Sequence, residues 1–250
     1  LDTAKRSLEL LLAEDEKTAS AYASDLIALN ESRKDMTHQG VEAACEKIGA
    51  DGIDRQKVMI IYLPDCHESL AGIIAGRLRE HFHKPSFVLT RSEEGVKGSG
   101  RSIGSFNLFE ALTSCEDLFE RYGGHALAAG LTVQADRIEE LRMRLRKYAE
   151  THVTMAELVP QLHIDCRVQP EWLTQENIES LSVLEPYGMK NAEPVFCMKN
   201  MTVEEITPLS SDRHVRLSLI KDGKRFSAIW FGIGAGGLGF VEGNTVDAAF

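Results

Sequence analysis

Apolar positions in the first fifty residues recur at helical spacing. Leu8, Leu11 and Leu12 share one face, as do Tyr22, Leu26 and Leu29. The stretch is rich in Ala, Leu, Glu and Lys, all good helix formers. A break is predicted near Glu14–Asp15. Gly40 marks a predicted bend, because glycine inside a helix costs about 1 kcal/mol relative to alanine. A helix this long cannot bury itself, so it reads as a connector packed on neighbours.

From about residue 57 the pattern alternates between strands and helices. "VMIIYL" is a short, branched apolar run and predicts a buried strand. "SLAGIIAGRLREHF" follows with Leu70, Ile73, Ile74 and Leu78 at helical spacing, and Ser69 is the candidate N-cap. "PSFVLT" predicts a second strand, and "EEGVKGSGRSIGS" a glycine-rich turn with a strand. "NLFEALTS" and "EDLFERY" predict short helices, and "GLTVQA" another strand. "RIEELRMRLRKYAETH" predicts a helix with Ile138, Leu141 and Leu145 inward and Arg137, Arg142, Arg144 and Lys147 largely outward. This alternation predicts an α/β domain.

Past residues 152–160 short strands dominate: "QLHIDCRV", "PVFCMKNMTVEEI", "HVRLSLI", "RFSAIWFG" and "TVDAAF", with one helix in "TQENIESL" and a hairpin turn in "KDGK". Several short strands and one helix predict a small β-barrel. The expected division is a connector helix over 1–50, an α/β domain over 51–152 and a β-barrel over 153–250. A first residue of Leu fits either a fragment or a processed chain, and because the last strand reaches the final residue an incomplete barrel is expected.

Composition narrows this picture. At 250 residues, with 43% hydrophobic and 26% charged residues, the chain is that of a globular protein of one or two domains. No run approaches 18 apolar residues, so no membrane helix is expected. Five cysteines, none in a CxxC, argue against a disulfide framework and a zinc site and point to a reducing cytoplasm. A net charge of -10 counts against a generic nucleic-acid coat, although a local basic groove can sit on an acidic body.

Three stretches could carry chemistry. In "GGHALAAG", Gly123 and Gly124 would let backbone amides approach an anion as a nest, with His125 beside them to donate to a phosphate oxygen or to act as acid or base. A tight turn followed by a close-packed strand fits the same residues equally well. In "KGSGRS", Lys97, Ser99, Arg101 and Ser102 could form a phosphate pocket; a solvated hairpin turn is the alternative. His67 falls where a strand gives way to a helix N-terminus, a common ligand position in α/β folds, though a capping or surface histidine is commoner there. No HExxH, DxD or P-loop is present. A histidine with arginines does not readily hydrolyse a phosphodiester without metal ions. The chain reads as a phosphate-binding half-site without its catalytic half, and no metal ligands are assigned in it.

"GSGRSIGSFNLFEALTSCEDLFERYGGHALAAGLTV" resembles the DHH-associated domain of the RecJ family. "LPDCHESLAGIIAGRLREHFHKPSFVL" resembles the strand–helix–strand before it, the helix with "LNESRK" the connector, and "LEPYGMKNAEPVF" the entry to the family's OB-fold. The resemblance spans nearly the whole chain in order. It departs from the family at Cys66, where an aromatic is common, and in the "SLAG" after Glu68. It implies a connector helix and a DHH-associated α/β domain followed by an OB-fold. It also implies a metal-dependent 5′–3′ single-stranded-DNA exonuclease of repair and recombination that releases mononucleotides. Mn²⁺ or Mg²⁺ would be held by a DHH domain for which these residues carry no motif, so no cofactor and no activity are expected of this chain alone. His125 would lie near the scissile phosphate. Gly123, Gly124, Ser99, Arg101, Ser102 and His67 would hold the substrate.

Single-strand binding by the OB part would use basic residues and aromatic platforms. Candidates are Arg216, Arg225, Lys190, Arg213 and Lys224, with Tyr187, Phe196, Phe226, Trp230 and Phe231. Barrel core is expected for Phe196 and for at least one of Trp230 and Phe231. Single-stranded DNA is the expected partner, duplex a poor one, and a single-strand-binding protein is compatible with the resemblance. The competing readings are a small-substrate phosphoesterase of the DHH superfamily, which normally lacks an OB-fold, and a non-catalytic nucleic-acid-binding module. An editing protein related to alanyl-tRNA synthetase lacks support, since that group's metal-binding motifs are missing.

Overall fold

A computed structural model describes residues 3–250. The chain separates into two compact units, one running to Pro160 and the other spanning Gln161–Phe250. No helix among the described residues is long and apolar enough to cross a membrane.

The first unit opens with α1 (Thr3–Leu11) and α2 (Glu16–Asp51). The break between them falls where expected, because the Asp15 carboxylate accepts from the Thr18 amide at 2.8 Å and the Thr18 hydroxyl at 2.7 Å and so caps α2. The bend expected at Gly40 does not occur, and α2 runs through it. A Cβ at Gly40 would lie 2.5 Å from Ile74 Cδ1, so this glycine serves close helix packing. Only the C-terminal part of α2 enters a core, through Ala44 and Ile48. Leu8, Leu11, Leu12 and Ile27 are exposed, so the covering expected for the connector is not found among the described residues.

The sheet of this unit contains β1 (Met59–Tyr62), β2 (Ser86–Ser92), β3 (Gly95–Arg101), β4 (Phe119–His125) and β5 (Ala128–Val133) in the order β1-β2-β3-β5-β4. β1 and β2 are parallel and joined through α3 (Glu68–Phe82); the other pairs are antiparallel. On one side, Met59, Ile61 and Val88 pack with Leu70, Ile74 and Leu78 of α3 and with the end of α2. On the other, Ile60, Phe87, Leu89, Leu131 and Val133 pack under α4 (Leu108–Thr113) and α5 (Ile138–His152). Alternation along the strands feeds both cores.

Three local expectations are corrected. "EDLFERY" is a 3-10 turn over Glu116–Leu118 followed by edge strand β4, because Phe119 and Tyr122 gain core contacts and pairing with β5 that a lone short helix would lack. His67, not Ser69, caps α3: its Nδ1 accepts from the Ser69 amide at 3.2 Å. Arg142 is folded inward, its side chain 15% exposed and its Nε donating to the Ile60 carbonyl at 3.3 Å.

The second unit contains β6 (Cys166–Arg167), α6 (Gln175–Ser180), β7 (Phe196–Leu209), β8 (His214–Lys221), β9 (Lys224–Phe231) and β10 (Thr245–Ala249). The order is β10-β7-β8-β9, with β6 parallel to β7. A register shift between Val203 and Glu205 lets long β7 bend, and the sheet curls into a half-barrel around Met198, Met201, Val203, Val215, Leu217 and Leu219. "KDGK" turns β8 into β9 with φ 49° at Asp222 and 75° at Gly223, the paired positive angles of a two-residue hairpin turn. Phe196 is partly buried against this core as expected, but Trp230 and Phe231 are 48% and 69% exposed, against the expectation for one of them. β9 is an edge strand from which only Phe226 and Ala228 reach the core.

Candidate functional site

α3 covers the sheet over β1, β2 and part of β3, and leaves open the same face of β3, β5 and β4. A cavity of about 470 Å³ lies there, lined by the first turn of α3 and by β2–β5 residues that include Thr90, Lys97, Ser99, Arg121, Gly123 and Thr132.

Strand register explains its composition. Side chains two apart on a strand share a face, and strands lie about 4.8 Å apart. Thr90, Lys97, Thr132 and Arg121 therefore form one row across four strands. The next row is Val88, Ser99, Gly130 and Gly123, and the third is Ser86, Arg101, Ala128 and His125. The middle row is a floor nearly free of side chains, and cationic or imidazole groups stand on both sides of it. A Cβ at Gly123 would meet nothing within 4 Å, so packing does not demand this glycine; it keeps the floor open.

The neighbouring glycines act differently. Gly98 and Gly100 face the opposite core, where a Cβ would lie 2.4 Å from Leu89 and 2.5 Å from Phe87. Gly124 has φ 142°, and a Cβ would lie 2.3 Å from the Ala128 carbonyl. Gly123 and Gly124 sit within a paired strand, where successive amides point in opposite directions. The expected nest is not formed, since that needs adjacent amides converging on one point.

Arg101 is half-buried, laid along α3: its Nη1 donates to the Gly100 carbonyl at 2.8 Å, and its Nη2 comes within 2.9 Å of where a Gly72 Cβ would be. His125 is exposed, and its Nδ1 accepts from the Leu127 amide at 3.3 Å. The ring proton is thereby assigned to Nε2, which can donate to an anion. His67 has the same pattern through Ser69, but caps α3 and does not line the cavity. Ser102 is buried, its hydroxyl donating to the Phe106 carbonyl at 2.6 Å. Lys97 pairs with Glu68 at 2.9 Å. That hydrogen bond and charge hold the Glu68 carboxyl below the ordinary range and the Lys97 ammonium above its own.

The structure thus brings Ser99, Arg101, Gly123 and His125 onto one face. It places Gly124 on the opposite face, Ser102 in the interior and His67 at the cap. Sequence reasoning missed Arg121, Thr90 and Thr132. The signal was present for Arg121: read as a strand, "RYGGH" puts Arg121, Gly123 and His125 on one side.

In the second unit, Arg225 is bound to Glu204 at 2.5 Å, Lys224 donates to the Pro170 carbonyl at 3.3 Å, and Arg213 to the Ser210 carbonyl at 3.1 Å. Arg225 and Ser218 hold Glu204 below the ordinary carboxylate range. The Tyr187 hydroxyl donates to the Leu181 carbonyl at 3.2 Å. Lys190, at φ 66°, is exposed and has no partner among the described residues. Arg216 is also exposed and unpartnered, on the outer face beside His214, Ile229 and Phe231. No group of three or more His, Cys, Asp or Glu that could hold a metal ion occurs among the described residues.

Residues 55–151 match the DHHA1 domain and residues 164–250 the RecJ OB domain. The sheet with the glycine-floored trough is thus a DHHA1 domain, and the curled half-barrel an OB domain. The single-stranded-DNA-specific exonuclease RecJ of Bacillus subtilis is 30% identical over 249 residues, covering 98% of this chain and 32% of the relative. RecJ of Thermus thermophilus is 32% identical over 88% of this chain and 31% of its own length. The crystal structure of T. thermophilus RecJ in complex with Mn²⁺ superposes with a TM-score of 0.76 at 30% identity, covering 90% of this chain and 33% of that one. A second structure of that protein, with Mg²⁺, gives 0.72 at 25% identity, covering 91% of this chain and 40% of that one. The chain belongs to the RecJ family and spans about a third of the length of these curated relatives. Among the described residues no cluster of histidine, cysteine or carboxylate side chains fits the manganese or magnesium of those structures.

Proposed function

We propose that this chain is the substrate-holding part of a metal-dependent 5′–3′ exonuclease for single-stranded DNA, acting in repair and recombination. The observation that carries this reading is the open trough, with Ser99, Gly123 and Gly130 on its floor and Arg101 and His125 in the neighbouring row of the same sheet face. A terminal phosphate would receive hydrogen bonds from the Ser99 hydroxyl and the Arg101 guanidinium, which suits tetrahedral oxyanions. His125 Nε2–H would donate from the edge strand. Gly123 admits the sugar–phosphate chain to the floor. In this reading these residues bind and orient, and Mn²⁺ or Mg²⁺ belongs to a DHH domain outside these residues.

An OB domain after the DHHA1 domain supports a polymeric substrate over the small-substrate phosphoesterase reading. The test is fluorescence anisotropy of the purified chain with single-stranded DNA and duplex of equal length, at two salt concentrations. Tighter single-strand binding that weakens with salt is expected. Equal or tighter duplex binding would overturn the reading. Incubation with single-stranded DNA and Mn²⁺ is expected to release no nucleotide; digestion by the chain alone would refute the division of labour.

A further inference from the structure

Beyond the trough floor, away from Arg101 and His125, lies the polar row of Thr90, Lys97, Thr132 and Arg121. Thr90 is fully buried, lines the cavity and has a hydroxyl without a hydrogen-bond partner. A buried donor left unpaired is unfavourable, so such a group calls for an occupant. Arg121 ends the row, exposed and without an ion pair or hydrogen bond among the described residues. It stands near enough to Lys97 to repel it. Glu68 neutralises Lys97 only, from the first turn of α3.

We infer that Thr90, Lys97, Thr132 and Arg121 form a second phosphate subsite. It takes a backbone phosphodiester of the strand whose terminal phosphate sits on Ser99 and Arg101. This rests on the proposed function and deepens it. Lys97 and Arg101 are four residues apart on β3, roughly 13 Å at the usual strand rise. A polymer bridges that span across the open floor at Gly123 and Gly130, whereas inorganic phosphate occupies one row at a time. Glu68 is the built-in competitor: it holds Lys97 until a phosphodiester replaces its carboxylate.

The test uses the 250-residue chain, a fluorescent single-stranded hexanucleotide with a 5′-phosphate, and inorganic phosphate as competitor. Arg121→Gln alters an exposed, unpartnered side chain and leaves the fold intact. It is expected to weaken hexanucleotide binding about tenfold and to lower the salt slope by about 0.7, with phosphate competition unchanged. Thr90→Val is expected to raise the melting temperature while weakening hexanucleotide binding, a pair of signs a purely structural threonine would not show. Glu68→Gln is expected to tighten it. Arg101→Gln should weaken both hexanucleotide and phosphate. Parent-like affinity and salt slope in Arg121→Gln, with binding lost in Arg101→Gln, would overturn the subsite and leave the proposed function standing. Failure of the parent chain to bind the hexanucleotide would overturn both.

Discussion

The trough of the DHHA1 domain and the outer face of β8 and β9 in the OB domain are both rich in basic residues, yet they differ in what those residues are doing. In the OB domain Arg225, Lys224 and Arg213 are each engaged by a carboxylate or a carbonyl, and Arg216 stands free beside exposed Phe231. In the trough, Arg121 is unpartnered, Lys97 is ion-paired with Glu68 at the surface and also attracted by Glu94, and a buried hydroxyl is unpaired. Counting arginines and lysines would rank the two alike. The groups left unsatisfied around a floor nearly free of side chains separate them: the trough leaves Arg121 and the Thr90 hydroxyl without partners, whereas the OB face leaves Arg216 beside the exposed Phe231 ring.

The largest effect that would break this comparison concerns the adjacent glycines. Gly124→Val places a side chain against the Ala128 carbonyl at a positive φ and should destabilise the domain by about 3 kcal/mol or more. Gly123→Val should melt within about 0.5 kcal/mol of the parent yet lose strand binding, because only the floor is filled. Equal melting temperatures for the two would contradict the assignment of the glycines to different faces. Next comes Arg101→Gln, expected to weaken single-strand binding by about 2 kcal/mol in titrations at low salt. Phe231→Ala should cost about 1 kcal/mol of binding through lost stacking, with little change in melting since the ring is 69% exposed; a large melting loss would make it a core residue after all. The smallest effect is at Glu204. Its depressed carboxyl pKa means that the pairing with Arg225 stabilises the fold above the ordinary glutamate range and is lost as pH falls through the lowered value. Glu204→Gln should free Arg225 and tighten strand binding a few-fold at neutral pH, read by the same titration.

Local pattern carried much of the fold. Short branched apolar runs marked β1 and β2, strand-like segments around a turn marked the β8–β9 hairpin, helical spacing marked α2, α3 and α5, and the positive-φ residues of "KDGK" sit where the turn was expected. Ser99, Arg101, Gly123 and His125 were legible as site candidates because glycines beside a histidine and an arginine are compatible with close approach of an anion, although Gly98, Gly100 and Gly124 prove to serve packing and backbone conformation. Other features required the assembled sheet. "FERY" has the composition of a short helix, and only pairing with β5 makes it a strand; until then Arg121 has no face to share with Gly123 and His125. Thr90, Lys97, Thr132 and Arg121 are remote along the chain and become a row through register alone. Which glycine is open, which packs and which is conformationally required depended on neighbours up to dozens of residues away. The sequence by itself determined periodicity, turn chemistry and the supply of polar groups, since these depend on residues close along the chain. The tertiary structure decided which of those groups face one another and which are left without a partner, since both depend on cross-strand neighbours that no local window contains.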